Sequence, residues 1–231
     1  MALLLNASQL AAGFFTVGTV AGVLSYVVTG SILSAPDYLA RIATHQSQMA
    51  LGALLVLTMG FSLAMVPVVF YPVGRRYSEV LAMGYVVFRG ALEGFMYILS
   101  AFGWLLLVAL STQPVAAAGP TAGYVELALN VASDQMVAIP FVLGALMFCY
   151  LLYTSRLVPR WLSIWGIVGA VLYIGAPLLQ MFGLSFDYLM GPLALQEMVL
   201  AVWLIVKGFE PVERRLPLKA TFNSPAQGAD L

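Results

Sequence analysis

Three charged side chains, Arg89, Glu93 and Glu197, interrupt runs that are otherwise apolar. At the centre of a bilayer such a charge costs about 2.5–3.5 kcal/mol on insertion scales, while each Leu, Ile, Phe or Val returns only about 0.3–0.6. Charges of this kind are therefore held against a partner or against water. An arginine beside two carboxylates can anchor an anion, hold a proton or contact a small solute. Tyr85, Arg89, Glu93 and Tyr97 recur every four residues, so one α-helix carries them as a single polar stripe. Glu126, Asn130 and Asp134 share that spacing and point polar groups at the membrane surface, with His45, Gln135 and Gln180 on the same side. The expected arrangement is a polar cavity open to the outside and floored by the arginine and carboxylates. In it Arg89 is the anion anchor, Glu93 its partner, and Glu197 the titratable or ligand-contacting group. The candidate ligand-binding or intramembrane polar cluster is thus Arg89, Glu93, Glu197, Tyr85, Tyr97, Asp134 and His45. A purely structural reading stands beside it, in which the three charges only lock helices and His45 is an interfacial residue.

What the chain lacks narrows the chemistry. One histidine leaves no three-histidine zinc site and no bis-histidine haem site. The lone Cys149, between Phe148 and Tyr150, leaves no intrachain disulfide and no redox dithiol, and reads as a buried thiol. The sequence contains no nucleophile elbow, phosphate-binding loop or dinucleotide fingerprint. No lysine falls inside an apolar run, which removes a retinal Schiff base. The expectation is no metal, no cofactor and no catalytic residue; an intramembrane enzyme with Glu93 and Glu197 as acid and base would lack a nucleophile.

The elements that must position these residues follow from composition. Of the residues, 62% are hydrophobic and 9% charged, and the formal net charge is zero. A soluble domain carries about 25% charged residues, so this chain has too few charges to shield its apolar surface from water. The bilayer is its expected partner, and nothing in the charge balance suggests nucleic acid. Crossing about 30 Å of hydrocarbon takes about 20 residues at about 1.5 Å each. Runs of that order lie at residues 10–33, 49–71, 80–110, 136–154, 161–182 and 189–206. The breaks carry turn residues: Pro36, Pro72 with Gly74, Pro114 with Pro120, Pro159, and Gly183. The first run has no basic residue before it and is longer than a signal-peptide core, so it is read as a span that stays attached. The fold class is all-α, a six-helix transmembrane bundle over residues 1–209, followed by a largely disordered cytoplasmic tail over 210–231.

Charge placement orients the bundle. Arg75, Arg76, Arg156, Arg160, Lys207, Arg214, Arg215 and Lys219 fall on one side of a six-span chain, eight of its ten basic residues. Arg41 alone lies opposite, among Asp37, Glu126, Asp134 and Asp187. The positive-inside rule places the basic side, with both termini, in the cytoplasm of a bacterial inner-membrane protein. Gly18 with Gly22, and Gly166 with Ala170, allow close helix packing without specifying a dimer.

Tyr71-Pro72 followed by Arg75-Arg76, then Gly84-Tyr85 and Phe88-Arg89 with Glu93, resembles a bacterial membrane family known as domain of unknown function 4386. Pro159-Arg160-Trp161-Leu162-Ser163 with Trp165-Gly166 is similar to its second signature, and Pro192, Glu197, Trp203 and Lys207-Gly208-Phe209 fit its last helix. The resemblance implies a fold and no activity, and it marks Arg89, Glu93 and Glu197 for testing. The functional expectation is a membrane protein that binds or moves a small solute or proton. The alternatives are a scaffold subunit of a membrane complex, or an intramembrane enzyme acting on a lipid-borne substrate.

Overall fold

The structure is a computed structural model that describes residues 2–131 and 136–209. The expected tail, 210–231, lies outside the described residues, as does Asp134.

Among the described residues nine α-helices follow in chain order: α1 (Ala2–Leu33), α2 (Tyr38–Thr44), α3 (Gln46–Gly74), α4 (Glu79–Tyr85), α5 (Glu93–Ser111), α6 (Val115–Val131), α7 (Ala138–Ser155), α8 (Arg160–Gln180) and α9 (Gly191–Val206). A π-helical segment, Val86–Leu92, joins α4 to α5, and a short 3₁₀ turn, Asp187–Met190, leads into α9. No strand occurs among the described residues. Six stretches of the described residues are long and apolar enough to cross a membrane: Ala7–Leu33, Gln46–Gly74, Glu79–Ser111, Ala138–Ser155, Arg160–Gln180 and Asp187–Val206. The third is the continuous rod of α4, π segment and α5.

The helix ends are built from local chemistry. The side chain of Ser78 accepts from the Leu81 N–H at 3.3 Å, and Glu79 opens the first turn of α4, where an anion favours the helix dipole. Arg156 takes a left-handed conformation (φ 55°) that stops α7, and Pro159 then presets the entry to α8. The short links at Arg75–Ser78 and Arg156–Pro159 force consecutive spans to run antiparallel.

The spans close into a ring. α1 packs on α3, α3 on the third span, α4 and the π segment on α7, α7 on α8, α8 on α9, and α9 back on α1. The outside of this ring is apolar and exposed, with Leu54, Phe61, Phe95, Phe102, Val171 and Ile205 among its residues. In water that jacket would be untenable; in lipid it is solvated by acyl chains. The chain is therefore a multi-pass integral membrane protein.

Two apolar cores lie at opposite ends. At the end bearing Arg75, Arg76, Arg156 and Arg160, the core gathers Phe70, Tyr85, Phe148, Leu152, Leu162 and Phe209. At the end bearing Asp37, Glu126 and Asp187, α2 and α6 cap the spans, burying Ile42, Met49, Leu107, Ala122 and Leu129. We call these the basic and acidic ends. Between the two cores lies the charge cluster.

Candidate functional site

A regular α-helix turns about 100° per residue, so groups four apart drift by about 40° per step. Carried from Tyr85 to Tyr97, that drift would swing the end of the stripe toward a neighbour. The π segment prevents it. Its wider i→i+5 turns hold the stripe on the inward face of the third span as it passes Arg89.

The guanidinium of Arg89 stands between two carboxylates. Its Nε lies 3.2 Å from Oε2 of Glu93, one turn along the same rod. Its Nη2 lies 3.2 Å from Oε1 of Glu197, which arrives from α9 across the ring. Arg89 and Glu93 are 4% and 0% exposed, and Glu197 is the most accessible of the three, with 20% of its side chain exposed. The fit is incomplete: Nη1 of Arg89 has no hydrogen-bond partner among the described residues, and Oε2 of Glu93 meets Nε without hydrogen-bond geometry. The Phe141 ring supplies a further contact, its centroid 4.3 Å from the guanidinium carbon, a cation–π distance.

Glycines admit this arrangement. A Cβ on Gly144 of α7 would lie 2.9 Å from Cβ of Arg89 and 3.1 Å from its backbone nitrogen. Only a bare backbone lets α7 close on the π segment at that point. Gly60 of α3 does the same beneath Tyr97, where a Cβ would fall 2.8 Å from the tyrosine Cβ.

Tyr97 extends the cluster toward the acidic end by donating to Oε1 of Glu93 at 3.0 Å. Its other side faces a cavity of about 520 Å³ between α1, α3, α5 and α6, which Glu126 also lines. Toward the basic end, Arg89 and Glu197 border a far smaller cavity of about 30 Å³, walled mainly by apolar side chains that include Phe70, Tyr85, Phe148 and Cys149. Tyr85 thus belongs to the stripe by sequence but to an aromatic wall by contact: its ring stacks on Phe148 at 4.5 Å.

The remaining site residues scatter. His45 is exposed at the junction of α2 and α3, where its Nδ1 lies 2.8 Å from Oγ1 of Thr44 and 3.0 Å from the Arg41 carbonyl. It immediately precedes α3, whereas Gly60, at the level of Tyr97, comes about 22 Å further along that helix. His45 is not part of the cluster. Glu126 accepts a hydrogen bond from Tyr38 of α2; burial first, and then that bond and the carboxylate's charge, push the Tyr38 phenol above its ordinary value.

Sequence reasoning missed Gln196, which is 1% exposed and donates to the Leu162 carbonyl at 3.2 Å, tying α9 to α8 beside Glu197. The adjacent polar pair Gln196-Glu197 in an apolar helix was the available signal. Phe141 and Gly144 carry no such mark. Among the described residues no three His, Cys, Asp or Glu side chains gather as a metal site.

No curated protein and no solved structure matches the chain. The family model described as Domain of unknown function (DUF4386) matches residues 10–208, from the first span to the end of the last, and the chain belongs to that family.

Proposed function

We propose that the protein binds or moves a proton or small solute through the cavity at its acidic end, with Glu93, Arg89 and Glu197 as the site. One observation carries this reading: a buried arginine lies 3.2 Å from each of two carboxylates, one of which reaches the 520 Å³ cavity through Tyr97. With all three groups ionised the cluster holds one negative charge in excess. An uncompensated charge in a bilayer is costly, and the smallest species that cancels it is a proton. The same geometry argues against Arg89 as an anion anchor, because two carboxylates already more than neutralise its charge. Its role is then to position them.

The protein sits in the inner membrane of a bacterial cell with its basic end in the cytoplasm, so the large cavity opens outward. Positive-inside placement of Arg75, Arg76, Arg156 and Arg160 supports this. Single cysteines at positions 75 and 187, on a Cys149→Ser background, test it with an impermeant thiol reagent on intact cells. Position 187 is expected to label and position 75 to stay protected; the reverse pattern overturns the orientation.

The function is tested in proteoliposomes with an internal pH indicator and an imposed potassium diffusion potential. Proton influx above that of protein-free vesicles is expected, falling to the background rate in Glu93→Gln and Glu197→Gln. Background flux from folded wild-type protein would sink the reading and favour the scaffold role, in which the three charges only lock the third and sixth spans.

A further inference from the structure

The large cavity at the acidic end has a lining chemistry of its own. Among the described residues that wall it there is no Lys, Arg or His. Its aromatic surfaces are Tyr26, Tyr97 and Trp104, and its carboxylate is Glu126. The hydroxyl protons along α1 are already spent. Ser25 donates to the Gly22 carbonyl at 2.7 Å, Thr29 to the Ser25 carbonyl at 2.8 Å, and Ser34 to the Gly30 carbonyl at 2.6 Å. Tyr97 likewise spends its proton on Glu93. What these oxygens still offer to the cavity is lone pairs. The described lining therefore carries one carboxylate, aromatic faces and several acceptors, with Trp104 Nε1 and the Tyr26 hydroxyl as donors and no cationic side chain, a balance that favours cations over anions.

Size and placement narrow the ligand. About 520 Å³ lies within the range of pockets that take drug-sized molecules, well beyond a bare metal ion. Aromatic walls favour a charge spread over apolar substituents, since such a cation loses little hydration on entering. Tyr38 of α2 is the polar neighbour of the Glu126 carboxylate.

We propose that this cavity is a binding site for an organic cation bearing apolar substituents, an alkylated or arylated ammonium or phosphonium. The coupling of that site to the cluster rests on the proton reading given above. A cation held against Tyr97 lies next to Glu93, competes with a proton for the same excess negative charge, and so releases that proton to water as it binds.

The full chain in detergent is titrated by equilibrium dialysis with tetraphenylphosphonium and, in a separate series, with tetraphenylborate, a molecule of the same shape and opposite charge. Saturable binding of the phosphonium is expected, with no saturable binding of the borate. Glu126→Gln and Trp104→Leu should each weaken it about tenfold. Tyr26→Leu, at a side chain 77% exposed, should weaken it too without threatening the fold. Unsaturable phosphonium binding, equally tight saturable binding of the borate, or unchanged affinity in folded Tyr26→Leu and Glu126→Gln each overturn the cation site. Proteoliposome proton flux separates the two claims. Flux without phosphonium binding removes the cation site alone; phosphonium binding without flux upholds the cation site and removes the proton reading.

Discussion

On the acidic side of Arg89 the interior widens to about 520 Å³ among hydroxyls and a carboxylate; on the basic side it shrinks to about 30 Å³ among aromatic rings. The first space can hold many waters or a ligand, and the second about one or two waters. The charged cluster is the wall between them. What blocks the basic side is packing: Phe148 stacks on Tyr85 and meets Phe70 edge-on with centroids 4.9 Å apart, while Phe70 lies 5.4 Å from Phe209. Side-chain packing can rearrange without breaking backbone hydrogen bonds. The two sides thus differ as an open approach differs from a closed one, with a titratable site between.

The wall itself is the place to strike hardest. Replacing Arg89 by methionine leaves two buried carboxylates without their cation, and a loss of about 3–5 kcal/mol is expected. Combining Arg89→Met with Glu197→Gln should recover part of that loss, and only part, because Glu93 remains. Thermal unfolding of wild type, both single variants and the double variant reads the coupling. Strictly additive shifts would mean that Arg89 and Glu197 do not share the wall, and the two cavities would then have no common boundary.

A gentler change tests the closed side. Phe148→Leu keeps most of the volume and should cost less than about 1.5 kcal/mol, but it removes the ring that stacks on Tyr85. Cys149, 2% exposed and lining the small cavity, is a native reporter of access. A maleimide should label it slowly in wild type and severalfold faster in Phe148→Leu, read by mass spectrometry of detergent-solubilised protein. Equal rates would place the barrier elsewhere than in the aromatic wall.

Hydropathy made the spans legible because lipid imposes a length that few other constraints imitate. The run expected at 136–154 folds as Ala138–Ser155, and that at 10–33 falls within Ala7–Leu33. The capping helices were harder to read. α2 has only 7 residues, and α6 contains Pro120 and Glu126, so neither resembles a span or a soluble amphipathic helix. In the cluster, four-residue spacing and matched depth indicated that Glu197 could meet Arg89. They could not reveal the π segment, since a period of four is the pattern of an α-helical face. His45 misled because a polar residue near a span end looks the same whether it turns inward or, as here, bonds its own helix end. Phe141 and Gly144 stayed hidden because an apolar residue in an apolar run reveals nothing of what it touches.

The π segment also has an evolutionary consequence. One extra residue in an α-helical span turns everything beyond it by about 100°, taking a whole face from protein to lipid. A wide turn absorbs such an insertion locally and leaves the flanking faces in place. Within Val86–Leu92, therefore, the third span can lose a single residue, its wide turn tightening to an α-turn, while Glu93 and Tyr97 keep their facing.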